Sequence, residues 1–367
     1  MERSLIWAVK ASKIVPSRKN LDELASREDL FDTSSIDTKS KDYIKISRSF
    51  CGTAEKGYSV VTYIDDEYPQ KLKTLAYPPP VLYVRGNVAV LNDIVYAGIV
   101  GSRKCDAYGK QTANNIAREV GMTGVGIVSG GAEGVDAAAH DGALRANAPT
   151  IAVLGCGINI DYPKCNTELF ERIVEKGGAV ITEFHFGTPP RSGNFPKRNR
   201  IIAAMAEVLV LARAGKRSGG LITVGQALDM NKTVFAVPGN IDSPLSIGAN
   251  ELIRDGAVPL VSAMDVIDEL IATNPDYFVK KQEPKPYIKT VPVMEKKTVK
   301  ESAKVQLTEY EQEIVNIINE GFTTQTEMED KVSFEAVRLT ALLGMMEIKG
   351  IITKKSDKSY IVNGGKC

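Results

Sequence analysis

The sequence predicts an α/β protein built on a mainly parallel sheet, with a small helical unit before the sheet and a winged-helix-like domain after it. Between residues 58 and 271, short β-branched runs alternate with amphipathic stretches. Strands and helices in alternation are typical of a parallel sheet that helices cover on both faces. The chain has 367 residues, 43% of them hydrophobic, which is enough for two or three compact units.

Composition narrows the classes of function. The net charge is +1, from 46 basic and 45 acidic residues, so a polyanion would have to bind a local patch. The five cysteines form no CxxC pair and there are two histidines, so we predict neither a metal site nor a cofactor. No apolar run reaches the roughly 18 residues of a membrane span, and the N-terminus does not have the pattern of a signal peptide. A cytoplasmic protein with reduced thiols is expected.

The first two predicted domains are residues 1–55 and residues 56–273. The first has short apolar stretches with polar connectors, which indicate helices that pack or bind a partner. The second contains the sheet. Its predicted strands are 59–64, 81–85, 94–100, 126–128, 150–154, 179–182, 207–212 and 233–237. Its predicted helices include 108–120, 135–146, 166–176, 196–206 and 220–229.

The remaining chain predicts a linker and a small domain. Residues 274–304 are rich in Lys and Pro, which is typical of an extended linker. Residues 305–367 predict helices at 307–319, from 323, and at 333–349, followed by two strand-like runs, which is a winged-helix arrangement. The third helix is nearly neutral and strongly apolar. We therefore expect it to pack or contact a partner, because reading DNA requires basic side chains.

The turns that follow the strands carry the functional signal, since ligands of parallel sheets bind beyond the carboxyl ends of the strands. The third strand is followed by Ser102 and Arg103, the fourth by SGGAEG at 129–134, and the strand at 207–212 by a turn containing Lys216 and Arg217. Each turn offers glycine amides, a hydroxyl or a cation. Together they predict an anion-binding crevice at one edge of the sheet.

The segment FPKRNR at 195–200 places three cations, Lys197, Arg198 and Arg200, where a helix is predicted to begin. A cation in the first turn costs about 0.3–1 kcal/mol against the helix dipole. Phosphates bound there would remove that cost. The alternative is a solvated turn in which salt bridges neutralise the cations.

Common nucleotide motifs do not fit this chain. The GCG run at 155–157 lacks the third glycine of the dinucleotide fingerprint, and no GxxxxGK[ST] loop occurs, so nicotinamide binding and an ATP-driven motor are not expected. His140 has no serine or cysteine partner in the pattern and is expected to be structural. Phe195 and Tyr162 flank cationic segments, as aromatics that stack on bases do, with core packing as the alternative.

Taken as an ordered set, these blocks resemble the DNA processing protein A family, also called Smf, over residues 58–271. The blocks are Tyr68-Pro69, PPVLYVRG at 79–86, VGSR at 100–103, SGGA at 129–132, GVDAAAH at 134–140, Tyr162-Pro163, FPKRNR at 195–200 and VPGN at 237–240. The resemblance implies an extended Rossmann-like domain that binds single-stranded DNA without catalysis. It also implies protection of incoming strands during natural transformation, loading of a RecA-type recombinase, and a homodimer.

The resemblance further implies which residues contact DNA. Side chains at 102–103 would hold phosphate, the glycine turn would lend amides, and the 195–200 segment would line a basic pocket. The full implied set is Ser102, Arg103, Gly130, Gly131, Ala132, Lys164, Phe195, Lys197, Arg198, Asn199, Arg200, Lys216 and Arg217.

A rival interpretation comes from another class of protein. The lonely-guy nucleotide phosphoribohydrolases resemble this chain in their sheet and carry a PGGxGTxxE motif whose glutamate is needed for cleavage. Here Gln226 stands at that position. An amide cannot act as a general base, which favours binding without hydrolysis. A sensor of a small nucleotide in the same crevice remains open.

Overall fold

The computed structural model describes residues 2–34, 36–282, 309–329, 331–332, 339, 342–343, 346–347, 351–355 and 359–362. The chain divides into two compact units, Met1–Pro286 and Tyr287–Cys367. Within the described residues, every helix is too short or too polar to cross a membrane.

The first unit is built on a nine-stranded sheet of order β1-β2-β6-β5-β4-β3-β7-β8-β9. Its strands are β1 Ser59–Thr62, β2 Val81–Gly86, β3 Tyr96–Gly101, β4 Gly126–Ser129, β5 Thr150–Val153, β6 Ala179–Thr182, β7 Val208–Arg213, β8 Thr233–Ala236 and β9 Val258–Pro259. β2 runs antiparallel to both β1 and β6, and every other pairing is parallel. The eight predicted strands and the mainly parallel Rossmann-like sheet are confirmed. β9 was missed because two residues show no periodicity.

Helices cover both faces of this sheet. They are α1 Glu2–Ala11, α2 Arg18–Ala25, α3 Lys41–Glu55, α4 Gln70–Lys73, α5 Ala107–Met122, α6 Val135–Arg145, α7 Thr167–Glu175, α8 Asn194–Met205, α9 Gly220–Asp229, α10 Ile247–Arg254, α11 Ala263–Thr273 and α12 Pro275–Gln282. Successive side chains of a strand point to opposite faces. Accordingly, Leu209 and Leu211 of β7 belong to one hydrophobic cluster, and Val208 and Val210 belong to another. All six β7 residues are buried, as expected of a strand covered on both faces.

The strand order creates a switch point that positions the functional site. From β3 the chain moves outward on one side through β4, β5 and β6, and from β7 it moves outward on the other side through β8 and β9. β3 and β7 are neighbours, with Val100 opposite Leu211. Sheets of this kind bind ligands in the crevice beyond the carboxyl ends of the two strands at such a point.

The three N-terminal helices share a core with the sheet. Trp7 and Phe50 are buried, and both belong to the hydrophobic cluster that contains Leu209 and Leu211. Trp7 Nε1 donates to the Pro80 carbonyl oxygen at 2.9 Å, and the Phe50 and Tyr83 rings pack edge to face with centroids 6.1 Å apart. Residues 1–55 therefore pack within the first compact unit.

The expectation of an extended linker from residue 274 is wrong for its first residues, because 275–282 form α12. Tyr277 and Phe278 pack against a cluster of the sheet domain, and the Tyr277 hydroxyl donates to the Gly124 carbonyl oxygen at 2.8 Å. Packing two partly buried aromatic side chains against the sheet domain offsets the entropy lost on ordering this segment. The rest of the predicted linker lies outside the described residues.

The second unit contains α13 Glu309–Asn319, α14 Gln325–Glu329, and the antiparallel pair β10 Ile352–Lys354 and β11 Tyr360–Val362. These correspond to the first two helices and the strand-like runs predicted from the sequence. The third helix, predicted at 333–349, falls largely outside the described residues. The winged-helix arrangement stays a prediction.

Candidate functional site

A cleft of about 700 Å³ opens at the carboxyl edge of the sheet, beside the switch point between β3 and β7. The turns after β3, β4 and β7 meet there with the start of α8, as predicted. The predicted site residues in its lining are Ser102, Arg103, Ala132, Phe195, Arg198, Asn199 and Arg217. The predicted site residues outside the lining are Gly130, Gly131, Lys164, Lys197, Arg200 and Lys216.

Glycine at 134 lets the turns after β3 and β4 pack together. Gly134 has a φ of +82°, in the region that favours glycine. A Cβ at this position would lie 2.5 Å from the main-chain oxygens of Ser102 and Arg103. A side chain there would therefore push the two turns apart and widen the cleft.

Arg198 lines the cleft but is only 4% exposed. Its Nη1 donates to the Gly130 carbonyl oxygen at 2.6 Å and also to that of Val153, and its Nε donates to Asn199 Oδ1 at 3.1 Å. A Cβ at Gly130 would lie 2.5 Å from the guanidinium. Arg198 therefore fastens α8 to the turn after β4 and to the end of β5.

Two buried ionisable groups lie under this part of the cleft. Burial, with the positive charge of Arg103, lowers the pKa of Arg198 to about 10, and Asp136 opposes that shift. Burial raises the pKa of the Asp136 carboxyl, although the charge of Arg198 favours its ionised form. Arg198 stays protonated at neutral pH, and its hydrogen bonds go to main-chain and amide oxygens. Positive charge therefore lies directly beneath the cleft surface.

Arg200 is neutralised by a carboxylate. Its Nη2 lies 2.6 Å from Glu183 Oε2 and its Nη1 lies 2.9 Å from Glu183 Oε1, a two-pronged ion pair whose side chains are 21% and 17% exposed. The prediction that all three cations of the helix start need an anion is therefore wrong for Arg200, and the salt-bridged alternative describes it. α8 also begins at Asn194, so Pro196 is its third residue, where a helix needs no N–H donor.

Other cations remain exposed around the cleft. Arg103, Lys104 and Arg217 line it, and among the described residues none of the three forms an ion pair. The Arg103 guanidinium lies 4.6 Å from the centroid of the Phe195 ring, and the Tyr162 ring centroid lies 5.6 Å from it. Sequence reasoning missed Lys104, although its position directly after Arg103 in the same turn was a usable signal. We call Arg103, Lys104 and Arg217 the rim cations.

The remaining predicted residues differ in their surroundings. The Ser102 hydroxyl donates to the Lys104 carbonyl oxygen at 2.9 Å and shapes its own turn. The Gly131 carbonyl oxygen accepts from Asn166 Nδ2 at 3.0 Å. Lys164, Lys197 and Lys216 are exposed, and Lys197 lies between the cleft-lining Pro196 and Arg198. Their contacts with a ligand stay predictions.

Arg213 is a supporting residue that the sequence did not single out. It is 6% exposed at the carboxyl end of β7. Its Nη2 lies 2.5 Å from Asp106 Oδ2 and donates to Ser243 Oγ at 3.0 Å, and its Nη1 donates to Ser246 Oγ. These contacts tie the turn after β3 to the segment before α10. A charged residue at the end of a wholly apolar strand was the signal that could have revealed it.

The two histidines and Gln226 lie outside the cleft lining. Burial lowers the pKa of His140 to about 3, and its Nδ1 lies 2.7 Å from Thr150 Oγ1, in keeping with a structural role. Burial also lowers the pKa of His185, to about 4. Gln226 Nε2 donates to the Pro196 carbonyl oxygen at 3.1 Å and so joins α9 to α8. A carboxylate could not donate this bond.

Comparison with known proteins identifies relatives of the sheet domain. The family model of DNA recombination-mediator protein A matches residues 59–271. DNA processing protein DprA of Bacillus subtilis is 36% identical over 235 residues, which are 64% of this chain and 79% of that protein.

Two solved structures are similar to this chain. DNA processing protein A from Streptococcus pneumoniae superposes with a TM-score of 0.60 and 31% identity, covering 73% of this chain and 97% of that one. DNA processing protein A from Helicobacter pylori, described with a unique single-stranded DNA binding mode, superposes with a TM-score of 0.53 and 30% identity. That match covers 59% of this chain and 96% of that one.

Proposed function

Because the chain belongs to the DNA recombination-mediator protein A family, we propose that its cleft binds single-stranded DNA and performs no catalysis. The observation that carries this proposal is a group of two aromatic rings and a cation in the cleft lining: the Phe195 ring lies 5.6 Å from the Tyr162 ring and 4.6 Å from the exposed Arg103 guanidinium. Phosphates would meet the rim cations. Unpaired bases would stack on the aromatic side chains.

Stacking is the reason to favour single strands over duplex. Every base offers a flat face to an aromatic ring, and each stacked base contributes about 1–3 kcal/mol in proteins that bind single strands. In a duplex these faces are already stacked on neighbouring bases. Tyr162 is 39% exposed, so part of its ring is open to a ligand.

The rim cations and Lys197 account for affinity without sequence preference. Each phosphate they neutralise releases condensed counterions, so binding should weaken steeply with salt. Arg198 supports the same site from below, because it fixes the Gly130 turn and adds positive charge beneath the surface.

The rival phosphoribohydrolase chemistry has no general base at the position of its motif. Gln226 holds that position, and its amide is engaged with the Pro196 carbonyl oxygen. Asp136, a carboxyl group in the cleft lining, is 7% exposed and has a raised pKa because of burial. A nucleotide would find phosphate ligands here, whereas Asp136, the one carboxyl group among the described lining residues, is buried.

The roles beyond strand binding are part of the same proposal and rest on family membership. We propose that the protein works as a homodimer in natural transformation, protects incoming single strands and loads a RecA-type recombinase onto them.

The test is fluorescence anisotropy with labelled oligo-dT and a duplex of equal length at two salt concentrations. The Arg103→Ala/Lys197→Ala variant should bind oligo-dT about tenfold more weakly. The slope of log binding constant against log salt concentration should become less steep by about 1.4, since each phosphate contact with a single strand contributes about 0.7. Lys19→Ala/Arg254→Ala is the matched control, because it removes one lysine and one arginine from exposed positions outside the cleft lining.

Wild-type affinity in the Arg103→Ala/Lys197→Ala variant would refute the site. Preference for duplex would refute the stacking argument. Release of free base from nucleoside monophosphates would favour the rival enzyme.

A further inference from the structure

Outside the cleft, the exposed face of α3 presents a second basic surface in the first unit. Lys41, Lys45 and Arg48 are spaced four and three residues apart, so they lie on one side of the helix. All three are exposed, and within the described residues none forms an ion pair. With Ile44 and Phe186 they border a hollow of about 330 Å³. This surface combines cations with apolar side chains, as the cleft does.

A single loop joins this surface to the cleft. The Phe186 main-chain N–H donates to Ser49 Oγ of α3 at 2.8 Å, and the Phe186 ring packs against α3 at Gly52. Farther along the same loop, Pro190 lines the cleft. Four residues of chain span at most about 14 Å, so the hollow and the cleft are close neighbours.

The loop between them is held against the segment that carries Tyr162. The Gly187 N–H donates to Asn159 Oδ1 at 2.7 Å, and the Gly157 N–H donates to the Thr188 carbonyl oxygen at 2.8 Å. The loop that carries Phe186 and Pro190 is therefore fixed to the segment that leads to Tyr162.

Carboxylates along this surface are mostly neutralised. Asp161 pairs with Arg85 at 3.0 Å, and Glu183 pairs with Arg200 at 2.6 Å. Asp42 of α3 is exposed and lies near His185, where its charge opposes the effect of Lys45 on the His185 pKa. Three cations against one carboxylate still leave the α3 face positive.

We propose that the α3 face, formed by Lys41, Lys45 and Arg48 together with Phe186, is a second contact site for the strand that occupies the cleft. This inference rests on the proposed function. Its occupant is the phosphate backbone of a single strand long enough to pass along the 186–190 loop. The N-terminal helices would then extend the DNA path as well as support the sheet.

The test is the dependence of affinity on strand length in the full chain. Lys45→Ala/Arg48→Ala should bind an oligo-dT of about twenty nucleotides about fivefold to tenfold more weakly, with a salt slope smaller by about 1.4, because two phosphate contacts are lost. An oligo-dT of about six nucleotides, near the lower limit of known single-strand sites, should bind this variant as tightly as it binds wild type. Lys19→Ala/Arg254→Ala again serves as the control.

Both substitutions lie on an exposed helix face and introduce a strong helix former, so unfolding midpoints in urea should match wild type. An unchanged affinity for the long strand, or an equal loss for both lengths, would overturn the inference. The cleft proposal is judged separately by Arg103→Ala/Lys197→Ala, which should weaken both lengths. If only the α3 variant lost affinity, the cleft proposal would fail, and with it the extended path.

Discussion

Two arginines approach the same Phe195 ring and have opposite surroundings. Arg198, with its guanidinium 6.0 Å from the ring centroid, is 4% exposed, and its hydrogen bonds go to two carbonyl oxygens and Asn199. Arg103, at 4.6 Å, is exposed, and its guanidinium forms no ion pair among the described residues. The first arginine shapes the cleft and the second is free to meet a ligand. The two arginines therefore differ in what they can do: Arg198 supports the fold of the cleft, and Arg103 has a guanidinium that is exposed to solvent.

The largest expected effect comes from removing the supporting arginine. Arg198→Ala should destabilise the fold by about 3–5 kcal/mol, because it leaves buried oxygens of Gly130 and Val153 without a donor and removes the positive charge near Asp136. The measurement is urea unfolding, with Arg103→Ala as the partner variant, which should stay within about 0.5 kcal/mol of wild type. If Arg198→Ala kept full stability and lost DNA binding, the division between the two arginines would be broken.

The second largest effect is the pH dependence of stability that the buried His140 causes. His140 is neutral in the folded protein, with a pKa of about 3, whereas an unfolded chain protonates histidine near 6.5. As pH falls below about 6.5, the unfolded state takes up a proton that the native state does not. The free energy of unfolding should then fall by up to about 1.4 kcal/mol per pH unit, until pH reaches the folded pKa.

The measurement is urea unfolding of wild type and His140→Asn at pH 8, 6 and 5, since the difference in slope isolates this residue. DNA affinity at constant salt should change little over the same range, because the arginines and lysines of the cleft stay charged. Equal slopes in the two proteins would contradict the assignment of His140.

The smallest effect is expected from Arg200, the cation of α8 that Glu183 neutralises. Arg200→Ala should cost about 1–2 kcal/mol of stability, because Glu183 is left mostly buried without its partner. DNA affinity should change less than twofold. The comparison is with the DNA affinity of Arg103→Ala, measured in the same anisotropy assay. An equal loss of affinity in both variants would mean that Arg200 leaves Glu183 to bind DNA.

The parts of the fold that depend on local pattern were predictable. Strand and helix periodicity identified eight of the strands, and the turns after β3, β4 and β7 were expected to meet at one edge. β9 has two residues and offers no period. α12 was hidden by a Lys- and Pro-rich composition, because the decisive factor is the packing of the partly buried Tyr277 and Phe278 against a distant part of the chain.

The sequence by itself determined the alternating architecture, the glycine turns and the position of a cationic cleft, since these follow from residue types and short spacings. Tertiary structure alone decided which cations have partners. The oxygens that hold Arg198 lie 68 and 45 residues away along the chain, and the carboxylate that holds Arg200 lies 17 residues away. Hydrogen bonds and ion pairs require contact in space, so no local pattern could distinguish Arg198 and Arg200 from Lys197.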